Sequence, residues 1–78
     1  MPNRIKSLSQ VEAGTHVKII MFSCGRTLRA RLLDMGLVPG LSIEVVSQGA
    51  SGPYIIASNR GRLALGRGMA HKIIVSEQ

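Results

Sequence analysis

The sequence Arg-Ala-Arg-Leu-Leu-Asp-Met-Gly-Leu-Val-Pro-Gly, residues 29–40, decides the fold that this chain can adopt. Leu28, Leu32 and Met35 are spaced i, i+4 and i+7, so they lie on one face of a helix. Gly36 can take the left-handed conformation that ends a helix, and the apolar residue after it is placed to complete a Schellman motif. The stretch therefore predicts the last turns of a helix that stops at Gly36.

The residues around this helix predict a series of short strands. Before it, Val17, Ile19 and Met21 alternate with their neighbours over residues 15–22, and this period of two indicates a strand with one apolar face. After it, Pro39 prevents the helix from continuing, and four further apolar runs predict strands. These runs are 42–47, 54–57, 62–65 and 71–75.

Serine, glycine and proline predict how these elements begin and connect. Ser23 is placed to be the N-cap of a helix that covers residues 26–35. The segment 48–53 is predicted as a glycine-rich loop, and 66–70 as a tight connection before the last strand. Residues 1–6 are predicted as a loose or edge-lying arm.

This order of elements predicts a mainly β fold in a single domain that covers residues 1–78. We expect a small SH3-like barrel of about five short antiparallel strands, with one α-helix after the first strand. Closing a small sheet into a barrel removes the exposed edges that so short a chain cannot cover in another way. An OB-like barrel and an open α+β sandwich are the alternatives.

The chain of 78 residues has a net charge of +6, from ten Lys and Arg against four Asp and Glu. This balance suits an anionic partner, such as nucleic acid, acidic lipid or an acidic protein surface, and it also keeps a small protein in solution. Cys24 is the only cysteine, so no disulfide can form within the chain, as is typical of a reducing compartment. Because neither a signal segment nor a membrane-spanning run is visible, we expect a cytoplasmic protein.

The residues that support catalysis or metal binding in other proteins are few here, and they lack a recognised spacing. They are Cys24, His16, His71, Glu12, Asp34, Glu44 and Glu77. The glycines of 66–68 lack the continuation that a phosphate-binding loop requires. The sequence therefore predicts neither an enzyme nor a cofactor or metal site.

A binding function remains, and nucleic acid is one candidate partner. Arg60, Arg62 and Arg67 cluster near a predicted hairpin and can contact phosphates without reading sequence. Small barrels that bind RNA or single strands usually stack bases on aromatic side chains, and Phe22 and Tyr54 are the only two aromatic residues in this chain. The shortage of aromatic residues favours an acidic protein partner instead.

Protein recognition requires both a charged surface and an apolar anchor. The start of the predicted helix is basic, with Arg26 and Arg29 as its charged residues. Leu37, Val38 or Tyr54 can supply the anchor, unless they pack in the core.

The organising stretch and its surroundings resemble the FeoA family, the small cytoplasmic SH3-like proteins of the bacterial ferrous-iron uptake system. The resemblance rests on Arg-Leu-Leu-Asp-Met-Gly-Leu-Val-Pro-Gly at 31–40, on the strand 43–46, on Gly52-Pro53, on 62–66 and on the closing segment 70–75. Ser7-Leu8 and Ala13-Gly14 resemble the start of the family pattern. The segment 66–69 departs from many relatives, in which an acidic residue is common.

The resemblance implies a non-enzymatic accessory protein that works with FeoB, the membrane ferrous-iron transporter with a cytoplasmic GTP-binding domain. In this interpretation the protein docks on the cytoplasmic part of FeoB and regulates Fe²⁺ transport. We assign the partner contact to Cys24, Arg26 and Arg29, at the basic start of the helix. The alternatives are a nucleic-acid-binding small barrel, and an Fe²⁺ sensor or chaperone that binds the ion through His16, His71 or Cys24.

Overall fold

The computed structural model describes residues 4–48 and 52–78, which form six β-strands, two α-helices and one 3₁₀ turn. In chain order these elements are β1 (Ile5–Ser7), the 3₁₀ turn (Leu8–Gln10), β2 (His16–Phe22), α1 (Arg26–Asp34), β3 (Ser42–Ser47), β4 (Tyr54–Ser58), β5 (Gly61–Leu65), α2 (Arg67–Lys72) and β6 (Ile73–Glu77). The predicted arm 1–6 and the predicted glycine-rich loop 48–53 lie partly outside the described residues.

The strands form one antiparallel sheet in the order β1-β6-β2-β3-β4-β5. The predicted mainly β, antiparallel architecture with one main helix is confirmed, with six strands rather than about five. Within the described residues, no hydrogen-bonded ladder joins the end strands β1 and β5. The sheet is therefore not closed into a barrel by strand pairing.

Two elements were missed in the sequence because each is short and depends on distant partners. Strand β1 pairs with β6, with Lys6 opposite Val75, so α1 follows the second strand rather than the first. Helix α2 replaces the predicted tight connection, and it includes His71, which was expected to open a strand. A helix this short is unstable alone, and the burial of Ala70 in the core explains why it forms here.

Strand β2 contains a bulge that changes which of its side chains face the core. The register of β2 on β6 shifts between Ile19 and Met21, which leaves Ile20 as an extra residue. As a result, Met21 is exposed and Phe22 is buried. The alternation pattern predicted that Met21 faces the core together with Val17 and Ile19. For Met21 this prediction is wrong, because one extra residue in a strand reverses the orientation of every side chain after it.

Helix α1 ends in the predicted Schellman motif around Gly36. Gly36 has a φ of +87°. The amide of Leu37 donates to the carbonyl of Leu32 over 3.0 Å. The amide of Gly36 donates to the carbonyl of Leu33 over 2.9 Å. These two bonds satisfy carbonyls in the last turn of the helix, and Leu37 enters the core next to the helix.

A second turn follows at once and attaches the end of the helix to β2. The amide of Leu41 donates to the carbonyl of Val38 over 3.1 Å, with Pro39 and Gly40 between them. Gly40 has a φ of +94°, as the third residue of a type II turn requires. The amide of Gly40 donates to the carbonyl of Ile19 over 2.7 Å, and the amide of Ile19 donates to the carbonyl of Leu41 over 2.9 Å.

The core is aliphatic apart from Phe22 and Tyr54. Its largest fully buried side chains are Leu8, Ile19, Leu32, Ile56, Leu65, Ile73, Val11, Val17, Val45 and Val75. The predicted helical stripe is confirmed, since Leu32 is fully buried and both Leu28 and Met35 pack against the core. The Tyr54 hydroxyl donates to the carbonyl of Ser9 over 2.9 Å, so the one polar group of this ring has a partner.

The end strand β1 is held to β6 by ionic contacts with Glu77. Glu77 Oε2 lies 2.9 Å from Lys6 Nζ, and Glu77 Oε1 lies 3.8 Å from Arg4 Nη1. The hydrogen bond from Lys6, followed by the positive charges of Lys6 and Arg4, lowers the pKa of Glu77 below its ordinary value of 4.5. Partial desolvation of the carboxylate opposes this shift without reversing it.

We expect this contribution to stability to be lost in acid. Because the pKa of Glu77 is lower in the folded chain than in the unfolded chain, the ion pairs stabilise the fold fully above pH 4.5. Their contribution disappears as the pH falls through the lowered pKa. Urea unfolding midpoints of the wild type and of Glu77→Gln, measured from neutral to acidic pH, should converge in acid. A difference between the two proteins that stays constant with pH would contradict this account.

Candidate docking face

The residues assigned to partner contact from the sequence lie where β2 passes into α1. Cys24 is in the connection, and Arg26 and Arg29 occupy the first turns of the helix. Both arginines are exposed, and their i, i+3 spacing places them side by side on the helix surface. Cys24 is half-buried and packs against the core, so only part of its side chain faces outward.

The start of α1 is positive for a second reason. Gly25 is its N-cap, so no side chain caps the first amides, and its first turn contains no acidic residue. The predicted N-cap Ser23 instead donates its amide to the carbonyl of Lys72 over 2.7 Å. The free amides at a helix N-terminus carry partial positive charge, which adds to the charge of Arg26 and Arg29.

This positive charge is not neutralised within the described part of the chain. The contacts within 4 Å between basic and acidic side chains in this part join Glu77 to Lys6 and Arg4, and His16 to Glu44. Neither Arg26 nor Arg29 takes part in them. The two guanidinium groups are therefore available to anionic groups outside the domain.

A shallow groove of about 230 Å³ lies next to the arginines, between α1, the end of β2 and the turn after the helix. It is lined by Met21, Phe22, Arg29, Leu33 and Pro39. Met21 is 50% exposed and Leu33 is 43% exposed, so the groove presents two large apolar side chains to solvent. The basic face thus continues directly into an apolar one.

The sequence did not identify the apolar part of this face. Of the proposed anchors, Leu37 and Tyr54 are buried in the core, and only Val38 is exposed. Met21 was assigned to the inside because the bulge in β2 has no sequence signal. Leu33 did have a signal, because it is an apolar residue outside the buried helical stripe.

His16, His71 and Cys24, the candidate iron ligands of the sequence analysis, do not form a metal site within the described residues. His16 Nε2 lies 3.8 Å from Glu44 Oε1, and His71 Nδ1 lies 3.4 Å from the Ser9 hydroxyl oxygen. Over residues 4–48 and 52–78, no three His, Cys, Asp or Glu side chains come close enough together to hold a metal ion.

Neither of the helices described here is long and apolar enough to cross a bilayer.

The strand order and the helix between β2 and β3 define a small SH3-like domain. Exposed basic and apolar side chains lie next to each other on its surface. A sequence model of the FeoA domain matches residues 6–77. The chain therefore belongs to the FeoA family, whose members are accessory proteins of Fe²⁺ transport.

Solved structures and a curated relative agree with this assignment. The crystal structure of an iron uptake regulatory protein (FeoA) has a TM-score of 0.89 and 31% identity, over 96% of this chain and 100% of that chain. The FeoA-like protein of Clostridium acetobutylicum has a TM-score of 0.82 and 27% identity, over 96% and 87% of the two chains. A protein of Methanocaldococcus jannaschii with the provisional name Fe(2+) transport protein A is 31% identical over 70 residues, which are 90% of this chain and 84% of that protein.

The same fold also occurs as part of larger proteins. A manganese-dependent transcriptional repressor matches all of this chain with a TM-score of 0.89, over 44% of its own length. Its sequence identity of 15% supports a shared fold and nothing more specific. Together these matches confirm the predicted SH3-like fold and the resemblance to FeoA.

Proposed function

We propose that this protein docks on the cytoplasmic part of the FeoB transporter and regulates Fe²⁺ transport through that contact. Membership of the FeoA family supports a role in Fe²⁺ transport. The observation that supports docking is the pair Arg26 and Arg29 at the start of α1, where no side chain caps the helix. Both side chains are exposed, and neither forms an ion pair with another described residue. On this proposal the protein is cytoplasmic, and Cys24 contributes the exposed part of its side chain to the contact.

The charge of the face indicates the chemistry of the surface that it binds. Two adjacent guanidinium groups attract carboxylates, and Arg suits this role because its planar group can bind a carboxylate with two hydrogen bonds. We therefore expect an acidic surface on FeoB. Complementary charge of this kind raises the rate of association, and it makes binding weaker at high ionic strength.

The proposed regulation acts by contact and needs no chemistry from this protein. In residues 4–48 and 52–78, His16, His71 and Cys24 belong to no group of three His, Cys, Asp or Glu side chains that could hold a metal ion. A docked accessory domain alters a transporter when it binds one conformation better than another, because binding then shifts the population of conformations. The surface of α1 is sufficient for such a role.

The test uses full-length FeoB of the same organism in lipid nanodiscs. We expect saturable binding of this protein at low ionic strength, and weaker binding as salt is added. Fe²⁺ uptake and GTP hydrolysis by FeoB should then change with the same concentration dependence as binding. Absence of saturable binding at low ionic strength, or binding that leaves both activities unchanged, would contradict the proposal.

A further inference from the structure

Two of the exposed large apolar side chains in the described part of the chain line the same groove. Five large apolar residues are exposed in the described part of the chain, and they are Ile5, Ile20, Met21, Leu33 and Val38. Met21 and Leu33 line the groove beside Arg29. Ile20 and Val38 are the chain neighbours of the groove residues Met21 and Pro39. Ile5 is on the end strand β1 and does not line the groove.

The backbone fixes this apolar face in place. The bulge in β2 turns Met21 outward. The turn that contains Pro39 is hydrogen-bonded to β2 through Gly40 and Ile19. Two walls of the groove are therefore joined by main-chain hydrogen bonds. The groove thus loses little conformational entropy when a partner side chain enters it.

The arginines and the groove follow one line along α1. Arg26, Arg29 and Leu33 are at i, i+3 and i+7 and so share one helix face. At a rise of 1.5 Å per residue, Arg29 lies about 6 Å and Arg26 about 10 Å from Leu33 along the helix axis. Of the five residues that line the groove, Arg29 is the one that carries a charge.

We propose that this groove binds one large apolar side chain of the partner protein, while acidic side chains of the same segment pair with Arg29 and Arg26. The inference rests on the proposed function and names the kind of segment that the face recognises. An apolar residue about 6 Å from one carboxylate and about 10 Å from another fits the spacing on α1. A helix of the partner protein has this spacing when an apolar residue is followed by acidic residues four and seven positions later.

The shape of the groove favours a protein segment over other occupants. Its volume of about 230 Å³ is below the range of roughly 300–1,000 Å³ that is typical of small-molecule sites, and it suits a single side chain. Its concave form accepts an anchor from outside. In protein–protein contacts, a few side chains buried in well-packed pockets near the centre carry most of the binding energy, and Arg is enriched among them.

The decisive variant is Leu33→Gln, with Met21→Gln as the second. Both replace an exposed apolar side chain, and glutamine keeps a high helix propensity at position 33. We expect each variant to weaken binding to FeoB in nanodiscs by roughly tenfold or more, with an unchanged melting temperature. The dependence on salt should stay the same, because Arg26 and Arg29 are retained. Ile5→Gln is the matched control, and its affinity should equal that of the wild type.

The outcomes separate this inference from the proposed function. If the wild type does not bind FeoB, the proposed function fails. If the wild type binds and Leu33→Gln and Met21→Gln bind equally well, or Ile5→Gln is weakened as much as they are, the groove proposal alone is overturned. It is also overturned if Leu33→Gln abolishes binding to empty anionic nanodiscs, which would identify a lipid occupant, or if it dissolves a dimer seen by sedimentation, which would identify a second copy.

Discussion

Replacement of Gly36 by Val is expected to destabilise this protein by about 1–3 kcal/mol, the range for an L-residue held in an unfavourable backbone region. Gly36 has a φ of +87°, which a β-branched residue avoids. A Cβ atom at this position would also lie 3.1 Å from Nη1 of Arg60, so the Arg60 side chain would have to move. For a domain of this size, we expect the melting temperature to fall by at least about 4 °C.

Gly68→Ala is the control for this variant, because it also removes a glycine but in a permissive place. Gly68 lies within α2 and its φ is not positive. Apart from its chain neighbours and the backbone of its own helix, no described atom lies within 4 Å of the Cβ position. The substitution should therefore stabilise the protein by about 0.4–1 kcal/mol, through the reduced freedom of the unfolded chain. If the left-handed conformation at the helix end is required, thermal unfolding should show a lower melting temperature for Gly36→Val and a higher one for Gly68→Ala. An unchanged melting temperature for Gly36→Val would contradict the role assigned to the Schellman motif.

The consequences of Gly36 extend to the proposed docking face. The helix stop directs the chain into the turn that carries Val38 and Pro39, and that turn is attached to Ile19 of β2. A folded Gly36→Val protein with a displaced turn should therefore also bind FeoB less well than its residual stability predicts. The element that decides the fold thus also shapes the groove.

The end of α1 was predictable because its signals are local. Three local signals mark it: a stripe of apolar residues, a glycine at the helix end and a proline shortly after it. They act within about ten residues, and their effect on the backbone does not depend on the rest of the chain. The sequence therefore predicted the Schellman motif at Gly36, the burial of Leu32 and the strands on both sides of the helix. Strand β4 extends to Ser58 and β5 begins at Gly61, within a residue of the predicted limits.

The features that escaped prediction depend on distant contacts. Strand β1 exists because β6 pairs with it, and α2 exists because Ala70 packs in the core. The bulge at Ile20 is set by how β2 lies on β6, so alternation alone placed Met21 inside. For the same reason the sequence analysis named Arg26 and Arg29 as the proposed contact but did not find the groove beside Arg29.

Charge reversal at both arginines of the face, Arg26→Glu with Arg29→Glu, is expected to weaken binding to FeoB by roughly 100-fold or more. Placing like charges opposite each other at an interface costs several kcal/mol, and each tenfold loss of affinity corresponds to about 1.4 kcal/mol. Both side chains are exposed, so the fold should be unaffected. Binding to FeoB in nanodiscs over a range of salt concentrations measures the effect, and the residual binding should depend less on salt.

The matched control is Lys18→Glu with Arg62→Glu, which makes the same change of net charge elsewhere on the surface. Each double variant replaces two positive charges by two negative ones, so the net charge of +6 falls by four to +2. Lys18 is on β2 and Arg62 is on β5, and both are exposed. If the two double variants lose the same affinity, the total charge of the protein drives binding and no defined face exists. A large loss in the first and a small loss in the second is the result expected when Arg26 and Arg29 meet carboxylates directly.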